Sequence, residues 1–217
     1  MSFDAILFDL DGTLIQTPEI IINAFIKAIN TYYPNIELSE DVKTNVLGQT
    51  LDKAFKDYAK DSNELALMIK EFRKYSNSEM HKVKGYDDLE LVLKTLKDSG
   101  YKLGIVTSKG YEIAKMNLED LDVFNYFDCF VTYQDTDLHK PNPEPVLLAL
   151  DKLNVNSDRA IYIGDHENDI KAGNSALVKT GVMKYSYRLN DALLEKPNYV
   201  FKNLKEILRK IESDLNV

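Results

Sequence analysis

Two aspartates one residue apart, Asp9 and Asp11, close a short apolar run and are followed at once by Gly12 and Thr13. In extended backbone the side chains at i and i+2 point to the same side, so both carboxylates can face one pocket. Gly12 permits the sharp exit that carries the chain away from a sheet edge. Crowded carboxylates repel one another unless a cation or a proton lies between them. With only oxygen ligands on offer that cation should be hard, and magnesium keeping several of its waters fits. A second acidic pair, Asp165 and Asp169 in GDHENDI, is spaced so that one ends a strand and the other enters the next helix. Both can turn toward one ion, the first directly and the second through water or by orienting a ligand. Taken singly, Asp165 serves equally well as a helix cap, whereas for Asp9 with Asp11 a cap plus a solvated aspartate is the disfavoured reading. Together the four favour a metal. Lys140 lies in HKPNPEP, where Pro141, Pro143 and Pro145 stiffen the backbone just before a helix. Its compact charge suits a phosphate oxygen or a crowded carboxylate.

The elements that must hold these residues follow from apolar periodicity. Residues 3–8 read as a strand, and 103–107, 129–132, 160–164 and 180–183 as further strands, with helices between them from residue 87 onward. Strands alternating with helices predict an α/β fold, a Rossmann-like parallel sheet with helices on both faces. Residues 17–83 carry helical signals only. Thr17-Pro18-Glu19 reads as a helix start with Thr17 as cap, Ser39 caps a second segment, and Asp61 with Glu64 forms a capping box. Asp87 or Asp88 caps a helix that Gly100 ends. The expected division is a core of residues 1–16 and 84–217, interrupted after its first strand by an all-helical insertion over 17–83. Three of the core strands run into a polar residue at the carboxyl edge: Asp9, Thr107 and Asp165. Ligands of open parallel sheets bind outside those ends, at a topological switch point.

Composition bounds the partners. The 217 residues are 44% hydrophobic, enough for a full core, and a single cysteine, Cys129, excludes an internal disulfide framework and a cysteine-built zinc site. Cys129 is expected in the core of a central strand. Lys+Arg number 27 against 35 Asp+Glu, a net charge of −8, which argues against nucleic acid as partner. No apolar run is long enough to span a membrane, and the first residues lack the basic start of a secretory signal, so a cytoplasmic protein is expected, monomeric by default with a dimer left open.

DLDGT, the strand ending in Thr107-Ser108, Lys140 in KPNPEP and GDHEND, in this order, resemble the four motifs of the haloacid dehalogenase superfamily. The helical block is similar to that superfamily's cap, and the whole chain resembles its phosphoglycolate phosphatase and pyrophosphatase subgroup. The resemblance implies a magnesium-dependent phosphohydrolase for a small phosphorylated substrate, pyrophosphate or 2-phosphoglycolate first, with sugar phosphates and nucleotides open. It implies Asp9 as nucleophile and Asp11 as acid and base. It also implies magnesium on Asp9, Asp165, Asp169 and the carbonyl of Asp11, phosphoryl contacts from Thr107 and Ser108, and Lys140 offsetting charge. Asp11 disfavours the dehalogenases, which lack an aspartate there, and VLGQTLDKAF holds no arginine of the kind mutases use. Gln16 stands where many relatives carry an acid.

Gly48, Gln49 and Lys53 of the insertion, and Lys109 just past the phosphate loop, are candidate substrate contacts. The two lysines read more readily as solvated charges. His81, His139 and His166 show no metal spacing and read as surface or capping residues. Two rival classes remain: a receiver-like module phosphorylated on aspartate, against which stand the insertion, Asp11 and the Asp165/Asp169 pair, and a binding protein without turnover.

Overall fold

A computed structural model describes residues 3–215, with side chains through residue 211; residues 1, 2, 216 and 217 of the expected core lie outside the described residues. Strands β1 (Ala5–Phe8), β2 (Lys102–Val106), β3 (Cys129–Val131), β4 (Ala160–Gly164), β5 (Lys179–Met183) and β6 (Tyr199–Phe201) form one parallel sheet ordered β3-β2-β1-β4-β5-β6. Strand order runs outward from β1 on one side and from β4 on the other. The switch point therefore falls between β1 and β4, whose carboxyl ends carry Asp9 and Asp165.

The alternation of side chains along each strand sorts the core into two layers. Ile6 and Phe8 of β1, with Ile161 and Ile163 of β4, pack against α5 (Leu89–Asp98), α6 (Tyr111–Asp120) and α10 (Leu204–Leu215). Ala5, Leu7 and Tyr162 face the other way, onto α7 (Glu144–Leu153) and α8 (Glu167–Ser175). Each large aliphatic side chain buried here contributes about 1.5–3 kcal/mol. A separate apolar cluster joins α1 (Pro18–Tyr32), α2 (Glu40–Thr44), α3 (Leu51–Phe55) and α4 (Ser62–Met80) around Phe25, Phe55 and Phe72, whose successive ring centroids are 5.0 and 5.9 Å apart. The chain leaves β1 for this block and returns from it along adjacent paths. Gln16 N–H donates to the Lys84 carbonyl (2.8 Å) and Tyr86 N–H to Leu14 (3.0 Å). The Gln16 amide adds a bond to the Gly85 carbonyl (2.8 Å), a donation that an ionised acid at this position could not make.

Several local expectations need correction. Cys129 is buried as expected, but β3 is an edge strand rather than a central one. The short β6 and α9 (Leu189–Leu194) carry too little periodicity to be read in advance. Ser39 does cap α2, accepting from Val42 N–H at 3.4 Å. Thr17 does not cap α1; its hydroxyl is spent on Asp11. Asp61 accepts from Asn63 and Glu64 N–H, but Glu64 reaches back to Lys60 N–H, so no capping box closes. Asp88 occupies the cap position of α5 in left-handed backbone without a cap bond, and pairs with Lys205 at 2.7 Å instead. No helix among the described residues is long and apolar enough to cross a membrane.

Candidate active site

At the end of β1 the chain turns through Gly12, whose φ of +78° would strain any residue with a side chain. A Cβ there would also sit 2.3 Å from Asp165 Oδ2. Gly12 thus lets the two carboxyl edges close on each other. Gly12→Ala should displace Asp165 and weaken divalent-cation binding by about tenfold or more while the sheet stays folded; calorimetric titration with magnesium checks this.

Lys140 is the hub of the buried charges. Its Nζ lies 2.8 Å from Asp9 Oδ1, 2.6 Å from Asp169 Oδ1, 2.9 Å from the Tyr162 hydroxyl and 3.3 Å from the Val106 carbonyl. Burial alone would drive this ammonium toward its neutral form, but Asp169 and Asp9 overcome that and hold its pKa well above the usual lysine value. Tyr162, wholly buried in β4, lies 2.9 Å from Asp169 Oδ1 and 3.0 Å from the Val106 carbonyl. Asp169 is the best satisfied carboxylate: its Oδ2 accepts from the N–H of His166 (3.0 Å) and Asp165 (3.3 Å). Despite burial, the Lys140 charge and its hydrogen bond keep Asp169 below the ordinary carboxylate value.

Asp9 and Asp165 stand in the opposite condition. Burial pushes Asp9 up to about 7; Lys140 opposes the rise, while Asp169 and Asp11 add to it. Burial, then the charges of Asp9 and Asp169, raise Asp165 well above its usual value, and its carboxylate accepts only a long bond from Thr13 Oγ1 (3.4 Å). Oxygens of Asp9, Asp165 and Asp169 all lie within 4.8 Å of one another. An all-oxygen, under-neutralised, buried trio is the donor set a hard divalent cation takes. The residues fit magnesium.

Asp11 is not in that trio. Its Oδ1 accepts from Thr17 Oγ1 (2.5 Å) and pairs with Lys109 Nζ (2.6 Å). Asp9, Asp11, Thr107, Ser108, Lys109 and Lys140 line one cavity of about 340 Å³, whose opposite wall comes from the helical block and includes Gln49. Thr107 is buried and anchored by its N–H to Val131 (2.9 Å), and its hydroxyl accepts from Lys109 N–H (3.2 Å). Lys53 is exposed and outside the cavity lining, so that candidate contact is not brought to the site. Lys109 is no solvated charge; its side chain is 8% exposed.

The block meets the core directly over GDHEND. Asn168 Nδ2 donates to the Gly48 carbonyl (3.2 Å), and Arg188 Nη1 to Asn45 Oδ1 (2.8 Å). Gly48, at φ +65°, lies so close to the His166 ring that a Cβ would fall 2.5 Å from it. His166 does cap α8, but from a buried position, not the surface. Burial lowers its pKa, and its Nδ1 accepts from Asn168 N–H (3.1 Å), so the imidazole is neutral and its 3.2 Å approach to Glu167 is no ion pair. Sequence reasoning missed Tyr162, Asn117, Asn168 and Arg188. Tyr162 sits in an otherwise apolar strand, where only its hydroxyl hints at a polar partner.

Carboxylates gathered at the switch point of a parallel sheet, around a buried lysine and beneath a helical roof, define a Rossmann-like protein whose acidic trio could hold a hard cation. The haloacid dehalogenase-like hydrolase family model matches residues 6–183, and the chain belongs to that family. A relative from Clostridium perfringens is 40% identical over 96% of this chain and 97% of its own length. Another, from Bacillus cereus and named pyrophosphatase PpaX, is 36% identical over 100% of this chain and 99% of its own. A crystal structure from Clostridium acetobutylicum, titled as a predicted phosphatase, superposes with a TM-score of 0.85 at 29% identity, covering 98% of this chain and 100% of that one. The chain is a hydrolase.

Proposed function

We propose that this chain is a magnesium-dependent phosphohydrolase of small phosphorylated anions, with inorganic pyrophosphate as first substrate, working by double displacement through Asp9. The observation that carries the reading is the buried Asp9 carboxylate, held 2.8 Å from Lys140 and lining one cavity with Asp11, Thr107 and Ser108. Pyrophosphate is favoured by the name of the Bacillus cereus relative, matched over essentially both full lengths, and by a cavity near the small end of ligand pockets.

Asp9 attacks phosphorus; the P–O bond to Asp9 forms as the bond to the leaving oxygen breaks, and Asp11 gives that oxygen a proton. Water then attacks the same phosphorus, passing a proton to Asp11, and the P–O bond to Asp9 breaks to release phosphate. Thr107 Oγ1 and Ser108 N–H hold phosphoryl oxygens. Lys140 offsets negative charge on Asp9 and the transferred group, the dominant requirement in phosphoryl transfer. Asp9, Asp165, Asp169 and the Asp11 carbonyl would hold magnesium, which supplies further charge neutralisation at the phosphoryl oxygens when bound. Comparing kcat/KM for pyrophosphate, 2-phosphoglycolate and sugar phosphates, with magnesium and with a chelator, tests the reading. Magnesium-dependent release highest on pyrophosphate supports it; a stable phosphoprotein without phosphate release would instead mark a receiver-like module.

Stability should report the same charges. Asp9 is raised in the folded, metal-free protein, so the protonated form contributes stability that is fully present below the ordinary value near 3.8 and lost as pH rises through about 7. Asp165 shifts in the same direction. In chelator, the melting temperature should therefore fall between about pH 5 and about pH 8, and saturating magnesium should restore most of the loss. An equal fall with and without magnesium would contradict the assigned site.

A further inference from the structure

We infer that Lys109 is a positioning residue for Asp11, tying that carboxylate to the segment by which the chain returns from the helical block. The inference rests on the acid–base reading of Asp11. Lys109 follows Ser108 and is by position a candidate phosphate contact, but the geometry points elsewhere. Its Nζ lies 2.6 Å from Asp11 Oδ1, 2.9 Å from Asn117 Oδ1 and 3.7 Å from Met80 Sδ. An ammonium has three protons, and these three acceptors take all of them. A phosphoryl oxygen would have to displace one.

The acceptors come from three parts of the fold. Asp11 belongs to the loop after β1, Asn117 to α6, and Met80 is the last residue of α4. Asn117 is 1% exposed, and it also donates through Nδ2 to the Met80 carbonyl (2.9 Å). One buried amide therefore grips both the ammonium and the end of α4. On the outgoing side, Thr17 Oγ1 lies 2.5 Å from the same Asp11 oxygen, immediately before α1. Asp11 is thus held between the two connections to the helical block, one through Thr17 directly and one through Lys109, Asn117 and Met80. A displacement of that block relative to the core is transmitted to Asp11, whereas Asp9 is anchored from within the core by Lys140.

The test separates phosphorylation of Asp9 from its hydrolysis. With p-nitrophenyl phosphate the leaving group departs without a proton, so phosphorylation of Asp9 does not need Asp11, whereas attack by water does. Rapid-mixing traces of Lys109→Met should keep the rate of the initial nitrophenolate burst while the following steady-state rate falls about tenfold to a hundredfold. Lys109→Arg should recover part of the loss, and Asn117→Ala should shift the same ratio in the same direction. Burst amplitude counts competent molecules, so partial misfolding does not disturb the comparison. Equal slowing of both phases would make Lys109 a phosphate ligand, and unchanged phases would leave it structural; either overturns the inference. Asp11→Asn is the control. If it lacks the slowed second phase, the acid–base reading of Asp11 fails; if it shows that phase and Lys109→Met does not, only the inference fails.

Discussion

Asparagine at position 9 is expected to abolish phosphate release, by roughly 10⁴-fold or more, while leaving the protein folded. The amide is nearly isosteric with the carboxylate and can still accept from Lys140, now 2.8 Å from Asp9 Oδ1, but it offers no anionic oxygen to attack phosphorus. Burial favours the neutral side chain too, since Asp9 resists ionisation in the metal-free protein. Asp9→Asn should therefore melt at or above the parent's temperature in chelator. Loss of turnover with retained stability is the expected pair of results, measured by phosphate release and thermal melting. Undiminished turnover would remove Asp9 from the nucleophile's role.

The second large effect concerns Lys140. Lys140→Ala would leave Asp9 and Asp169 buried with no cation within reach of Nζ's former position, and would strip Tyr162 of a partner. Breaking a buried ion pair from one side costs about 3–5 kcal/mol, because the stranded charge keeps its desolvation penalty. For a chain of this size that is a fall in melting temperature of roughly 6–20 °C, together with loss of activity. Magnesium should recover part of the stability and little of the activity, since it restores charge balance but not the contact to Asp9. Denaturant titration with and without magnesium checks this; a destabilisation below about 1 kcal/mol would show that the three groups are solvated in solution.

The site was legible where a polar residue interrupts an apolar pattern. Asp9, Thr107 and Asp165 each follow a buried strand, and the parallel sheet aligns their carboxyl ends regardless of how far apart they lie in the chain. Lys140 was legible through its proline frame. The residues that hold these groups were not. Tyr162 occupies a strand position that any large apolar residue would fill, and Asn117 and Met80 look like ordinary helix residues until α6 and the end of α4 are placed side by side. Thr17 fits a helix cap by type and position, yet its hydroxyl has a stronger acceptor in Asp11. Strand order is equally hidden: the Cys129–Val131 strand is apolar because helices cover both faces of the sheet, which holds at an edge as well as in the middle. The three residues of β6 are too few to show a period.

In the double displacement proposed for this chain, phosphorus is attacked twice, first by Asp9 and then by water. Each in-line displacement inverts phosphorus, so two of them restore the original configuration. The stereochemical course of hydrolysis, measured with a thiophosphate monoester made chiral by two oxygen isotopes and hydrolysed in water carrying the third, reads this out however briefly the phosphorylated protein survives. Net retention is the expected result. Net inversion would mean a single direct attack by water, and would contradict covalent catalysis by Asp9.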